Sequence, residues 1–298
     1  MSARVAVVGA GLMGHGIAQA FMVAGFAVSI WDPLESARAS VTTRIAEHLA
    51  LMGLEVPVRV RVCETLADCV AGCDLLVEAV PEKMELKHAL LAAIDAIHPD
   101  CIIATNTSVL RISEIAEGSA RPERVVGTHW WNPPYLIPVV EVVRGEKTSE
   151  EVAGRVSEWL RQAGKTPVDV YRDVPGFVGN RMQFALMREA AYLVEEGICS
   201  AETVDLVARL TFGRRWAAVG PLRNADFIGL DLACNIMDYL SPSLSDAKAA
   251  PRLFRDKVAA GQLGAKSGSG VYEWEGGDRD ETEKQLLRHL IAAQRGGQ

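Results

Sequence analysis

One stretch restricts this chain more than any other. Residues 4–17, RVAVVGAGLMGHGI, set an apolar, β-branched run directly against glycines spaced G-x-G-x-x-G. The run RVAVVG reads as a buried strand and residues 12–25 as the helix that follows. Gly9 permits the tight turn, Gly11 lets backbone approach a pyrophosphate, and Gly14 lets the helix close on the strand. The helix N-terminus then offers free N–H groups and partial positive charge to phosphates. Asp32 ends the next strand, AVSIWD (27–32), about 20 residues on, where an acid accepts both ribose hydroxyls and repels an added phosphate. The pattern predicts NAD as cofactor, in preference to NADP. A glycine-rich turn without a ligand is the alternative reading.

The series continues through VRVRVCE (58–64), CDLLVEAV (73–80), CIIATNT (101–107), RVVGTHWW (124–131), PVVEVVRG (138–145) and TPVDVYRD (166–173). Helix-like spacers separate most of these runs. Strand–helix alternation predicts a parallel sheet covered on both faces. Near DVPGFVGNR (173–181) the pattern changes to helices alone, at about 177–196, 201–211, 224–240 and 251–260, with a short charged helix at the C-terminus. The expected architecture is α/β: a Rossmann-type dinucleotide-binding domain over 1–173 and a smaller all-helical substrate and dimerisation domain over 174–298.

GTHWWNPP (127–134) places one histidine beside two indoles, which are costly to leave in water and so border a pocket or the core. His129 and Glu141 have their midpoint at residue 135, the centre of the link NPPYLIP. Strands folding back about that link bring the two side chains opposite one another. A carboxylate beside an imidazole selects its tautomer and stabilises the imidazolium, which makes a general base for an alcohol proton. A core histidine beside an incidental glutamate is the competing reading.

The chain has 298 residues, 49% hydrophobic and 23% charged, enough for a sizeable core. A net charge of −7 argues against a general nucleic-acid or membrane-surface binder, which needs a basic excess. The N-terminus enters a strand by the fifth residue, leaving no room for a targeting peptide, and no apolar run approaches the roughly 20 residues of a membrane span. Six cysteines are scattered, and Cys63, Cys69 and Cys73, the only cluster, lack the spacing of a metal site. They read as buried reduced thiols in a cytoplasmic protein, and no metal is expected.

These residues resemble the 3-hydroxyacyl-CoA dehydrogenase family over nearly the whole chain. The resemblance runs through GAGLMGHGIA (9–18), VEAVPEKMELK (77–87), ATNTSVLRISEIA (104–116), GTHWWNPPYLIPVVEVV (127–143), DVPGFVGNRM (173–182) and KSGSGVYEW (266–274). It implies that His129 is the catalytic base and Glu141 its partner, that Ser108 hydrogen-bonds the substrate oxygen, and that Asn180 holds the reacting group. It further implies cofactor contacts at Gly9, Gly11, Leu12, Met13, Gly14, Asp32, Ala79, Val80, Glu82, Lys87, Asn106, Asn132 and Lys266, and a homodimer. Other readings stand beside these. Glu82 and Lys87 could form an exposed helix pair, Asn132 a turn residue, and Ser108 a cap for the helix at ISEIA.

The chain also departs from the common family pattern. The aromatic pair after the histidine is Trp130-Trp131 where Phe-Phe is usual. A long, lysine-bearing helical hairpin usually follows the second strand and touches CoA. Here the segment is short, with no lysine between Asp32 and Lys83. FGRRWAAVGPL (212–222) resembles the branch acting on free hydroxy acids, such as gulonate 3-dehydrogenase (lambda-crystallin) and carnitine dehydrogenase. The expectation is an NAD-dependent dehydrogenase of a small free 3-hydroxy acid, with Arg215 gripping the carboxylate. A short-chain 3-hydroxyacyl-CoA dehydrogenase and a non-catalytic NAD-binding structural protein remain the alternatives.

Overall fold

The structure, a computed structural model, describes residues 3–296. By its contacts the chain divides into two compact units, Met1–Arg181 with Leu287–Gln298, and Met182–Leu286. The first unit thus runs on past Asp173, because the linker and the first residues of the following helix are bound into it.

The first unit alternates strand and helix: β1 (Arg4–Val8), α1 (Gly14–Val23), β2 (Ala27–Trp31), α2 (Glu35–Met52), β3 (Val60–Val62), α3 (Leu66–Val70), β4 (Leu75–Glu78), α4 (Met84–Ile97), β5 (Ile102–Thr105), α5 (Ile112–Ala116), β6 (Val125–Trp130), β7 (Val139–Val143), α6 (Glu150–Gln162) and β8 (Thr166–Val170). One eight-stranded sheet results, in the order β3-β2-β1-β4-β5-β6-β7-β8. Pairing is parallel except between β6 and β7, which run antiparallel. The predicted doubly covered sheet is present, parallel in every pair but β6–β7.

The central strands are apolar along their length because both faces are covered. On one face Val5, Val7, Ile30 and Val126 pack with Ile17 and Phe21 of α1, Ile45 of α2 and Val156 of α6. On the other, Ala6, Leu76 and Ile103 pack with Cys69 of α3, Leu91 and Ile94 of α4 and Ile115 of α5. Cys63, Cys69 and Cys73 are buried and free. The segment after β2 is the single helix α2, closed by Gly53 at φ 69°. Side chains alternate across β6, so Trp130 enters the core beside Phe21, with ring centroids 5.8 Å apart, while His129 faces the other way.

The second unit and its borders are helical: α7 (Gly179–Glu195), α8 (Ala201–Leu210), α9 (Phe212–Trp216), α10 (Pro221–Ile228), α11 (Leu230–Leu240), α12 (Arg252–Ala259) and α13 (Asp278–Gly296). Two expectations need correction. The helix read over 224–240 starts earlier, with Pro221 at its first position, and breaks at Gly229, whose φ of 100° no helix accommodates. The terminal helix is not short: α13 has 19 residues, its first turn holding Asp278, Asp280 and Glu281 against the positive end of the helix dipole.

Phe21 is fully buried, edge-on to both Phe26 and Trp130. Phe21→Ala is expected to lower the unfolding free energy by about 3–5 kcal/mol. Denaturant titration measures it, and a loss under about 1 kcal/mol would contradict this packing.

Candidate active site

The site is built on the edge of the sheet where the parallel strands end. Gly9 follows β1 and takes φ 102°, and a Cβ there would lie 2.5 Å from the Ala79 carbonyl oxygen. A Cβ on Gly14 would lie 1.7 Å from the Gly9 oxygen, whereas one on Gly11 would meet nothing within 4 Å. The outer glycines are therefore demanded by contact within the protein, and the middle one leaves space above the loop. No side chain caps the N-terminus of α1. An uncapped helix start beside open space fits a dinucleotide pyrophosphate. Asp32 anchors the cradle, accepting hydrogen bonds from the amides of Ala10 at 2.8 Å and Leu34 at 2.9 Å. A carboxylate has about four acceptor positions, so capacity remains for ribose hydroxyls.

Ala79 and Val80 follow β4, and Asn106 follows β5. Asn106 accepts the Trp130 amide through Oδ1 at 3.1 Å, which leaves its NH2 group as donor. Leu12 is exposed and Met13 half-buried on the loop, and Asn132 is exposed beyond β6.

His129 and Glu141 are direct partners in the β6–β7 register. The predicted fold-back is present, with His129 Nδ1 2.6 Å from Glu141 Oε2 and both residues buried. With the Nδ1 proton donated to the carboxylate, Nε2 of the neutral ring is the proton acceptor. Glu141 Oε1 accepts the amides of Val178 at 2.9 Å and Gly179 at 3.1 Å, where α7 begins. Burial opposes ionisation of Glu141, but the His129 hydrogen bond and these two amides outweigh it and hold the carboxyl below its usual range. Trp131 and Phe177 wall the imidazole, with ring centroids at 4.9 and 5.7 Å. Phe177 is buried at φ 50°, a conformation costly for a non-glycine residue and maintained here by its packing. Gly179 is required beneath Trp131, since a Cβ there would lie 2.2 Å from the indole.

Ser108 is exposed in a turn after β5. Its amide donates to Glu82 Oε1 at 3.0 Å, and its carbonyl accepts from Asn180 Nδ2 at 3.0 Å. Ser108 does not cap α5: Arg111 holds the N-cap position, with no side-chain cap. Lys87 is not an exposed helix residue either. It is fully buried, with its ammonium 2.8 Å from Glu78 and 3.4 Å from Glu82. Glu78, Thr105 and Thr107 belong to this network and lay outside the sequence reading. So did Lys165, whose ammonium donates to the carbonyls of Pro134 at 2.6 Å and Ile137 at 3.0 Å, bracing the link between β6 and β7. Burial pushes the Lys165 pKa down to about 8.

Arg215 and Lys266 belong to the second unit. Arg215 is exposed on α9, and Lys266 is exposed in a turn closed by the Gly264–Ser269 bridge. Among the described residues no cluster of His, Cys, Asp or Glu could hold a metal ion, and no helix is long and apolar enough to cross a membrane.

Comparison with known proteins shows the family of the chain. Residues 4–174 match the NAD binding domain of 3-hydroxyacyl-CoA dehydrogenase, and residues 176–274 match its C-terminal domain. The chain belongs to the 3-hydroxyacyl-CoA dehydrogenase family and is an NAD-dependent dehydrogenase. It is 34% identical to 5-formyl-3-hydroxy-2-methylpyridine 4-carboxylate 5-dehydrogenase of Mesorhizobium japonicum, over 99% of this chain and 98% of that one. A solved structure of an enzyme of that name, described as an NAD+-dependent dismutase, matches at TM-score 0.93 and 33% identity, covering 99% of this chain and 98% of that one. The chain is also 40% identical to a probable 3-hydroxybutyryl-CoA dehydrogenase of Bacillus subtilis, over 91% of this chain and 97% of that one. An L-carnitine dehydrogenase of Nocardiopsis dassonvillei is 37% identical, over 86% and 82%.

Asp32→Ala is expected to weaken NADH binding and to narrow the gap between NADH and NADPH in fluorescence titrations. A lower KM for NADP than for NAD in the unmodified enzyme would contradict the reading of Asp32.

Proposed function

We propose that the enzyme oxidises the 3-hydroxyl of a small free hydroxy acid to the 3-oxo product. The observation that carries the free-acid reading is the state of α2. CoA bears several phosphates and rewards a free basic patch. The α2 segment has no lysine, and both of its arginines are engaged within the protein. Arg38 donates to the Asp32 carbonyl at 2.8 Å and pairs with Glu64, and Arg44 donates to the Ala10 carbonyl at 3.2 Å. Two of the relatives add support, since one is named for a pyridine carboxylate and one for L-carnitine, neither of them a CoA thioester. The Bacillus relative's name favours the second reading, a short-chain 3-hydroxyacyl-CoA dehydrogenase.

In this proposal His129 Nε2 takes the hydroxyl proton while Glu141 stabilises the imidazolium that forms. Ser108 and Asn180 hold the reacting oxygen. Bound NAD supplies the hydride acceptor. Gly9, Gly11, Leu12, Met13, Gly14, Asp32, Ala79, Val80, Glu82, Lys87, Asn106, Asn132 and Lys266 form its binding set, and Arg215 grips the substrate carboxylate. We further propose a homodimer in the cytoplasm. Leu222, Phe227, Met237 and Tyr239 on α10 and α11 are each more than 60% exposed, a large apolar area for a lone subunit.

His129→Ala is expected to abolish turnover while NADH still binds, and Glu141→Gln to lower kcat about 100-fold or more. Glu141 has a depressed pKa in the fold, so its contribution to stability is present above the unfolded value and is lost only as pH falls through the folded one. Steady-state kinetics with NADH titration measures both variants, and a kcat retained in His129→Ala would remove His129 as base.

Arg215→Met is expected to raise KM for the best free acid about 10-fold or more, roughly 1.4 kcal/mol, with NAD affinity nearly unchanged. An unchanged KM would remove Arg215 from the substrate site.

A further inference from the structure

Two histidines behind the dinucleotide loop take no part in hydride transfer. His15, in the first turn of α1, is buried, with its Nδ1 2.5 Å from the Gly11 carbonyl oxygen. A carbonyl only accepts, so Nδ1 carries the proton and donates. His48 on α2 is half-buried, donates from Nδ1 to Gln19 Oε1 at 3.0 Å, and stacks on Tyr135 with ring centroids 4.2 Å apart. Its ring centroid lies 5.0 Å from that of His15, which keeps the His15 imidazole in place. Burial, with the charge of Arg44 nearby, outweighs the Gly11 hydrogen bond and pushes the His15 pKa down to about 4. The ring is therefore uncharged at neutral pH, and its effect on the loop is one of geometry, not of a cation attracting phosphate.

A trans peptide is planar, so its C=O and N–H point in opposite directions. Holding a carbonyl on one side fixes the amide of the next residue on the other. His15 holds the Gly11 carbonyl, which aims the Leu12 N–H away from α1. Arg44 of α2 holds the Ala10 carbonyl at 3.2 Å, which aims the Gly11 N–H away from α2. Asp32 takes the Ala10 amide at 2.8 Å. Among the described residues the Gly11 and Leu12 amides donate to no other group. A Cβ built on Gly11 meets nothing within 4 Å, so there is room beside them. Successive N–H groups left over in this way are donors for an anion.

We propose that His15 and Arg44 are positioning residues for the cofactor: they hold the Gly11 and Ala10 carbonyls so that the Leu12 and Gly11 amides face the NAD pyrophosphate. The proposal rests on the reading of the Gly9–Gly14 loop as the pyrophosphate site.

NADH fluorescence titration, steady-state kinetics and thermal unfolding of four variants test it. His15→Leu removes the donor, and is expected to raise the NADH Kd and the KM for NAD about 3- to 10-fold, the effect of losing one hydrogen bond, with kcat changed less than about 2-fold. His15→Asn, whose amide nitrogen can take the place of Nδ1, is expected to restore the Kd to within about 2-fold of the unmodified enzyme. Arg44→Met removes the second support and covers the case in which His15→Leu does not fold. It is expected to raise the Kd about 3-fold or more, and the rise to persist at about 1 M salt, where attraction between exposed charges is screened within roughly 3 Å. Gly11→Ala adds a methyl group that meets no protein atom, so Tm is expected to be unchanged while the Kd rises about 10-fold or more through a clash with the phosphates. An unchanged Kd in Gly11→Ala would overturn the reading of the loop, and this proposal with it. With Gly11→Ala weakened as expected, an unchanged Kd in His15→Leu, or a His15→Asn as weak as His15→Leu, would overturn the proposal alone. So would an Arg44→Met deficit that is absent or vanishes in high salt.

Discussion

The carboxylate of Glu141 on β7 joins two other parts of the chain: the imidazole of His129 on one oxygen, and the amides of Val178 and Gly179 at the start of α7 on the other. His129 and Glu141 are both buried, so neither side chain readily takes water in exchange. An unmatched partner here would cost about 1–3 kcal/mol, more for the charge. The antiparallel turn from β6 into β7 exists to make this meeting. A parallel continuation, as between the other strands, would need a crossover of about a dozen residues or more, longer than the link 131–138 between β6 and β7.

That constraint explains much of the surrounding packing. The link NPPYLIP must return the chain within a few residues, and Lys165 braces it through two carbonyls. The indoles divide the work, Trp130 filling the core against Phe21 and Trp131 covering both His129 and Gly179. Phe177 accepts a strained backbone to close the opposite side. The imidazole thus keeps one nitrogen committed to the carboxylate, which fixes its tautomer and leaves Nε2 for the role proposed for it.

The parts of this arrangement that were legible in the sequence share one property: they follow from local spacing. The three glycines are spaced within one strand-to-helix turn, and the His129–Glu141 pairing follows from symmetry about residue 135. What was not legible depends on which face of an element meets which neighbour. Glu82 and Lys87 have the spacing of a solvated surface pair, and nothing local says that Glu78, at the end of a buried strand, pulls the lysine inside. Ser108 stands where a helix cap would, yet the backbone around Thr107 turns onto Glu82 first. The break at Gly229 was hidden because a single glycine inside an apolar periodic run is compatible with a continuous helix.

The family, the cofactor and the base leave one choice at the centre of the account, between a free acid and a CoA thioester. It is tested most directly by following NADH absorbance with the unmodified enzyme over a panel of free 3-hydroxy acids and the matching 3-hydroxyacyl-CoA thioesters. The account predicts a free acid with the highest kcat/KM. A thioester turned over far more efficiently than every free acid would contradict it.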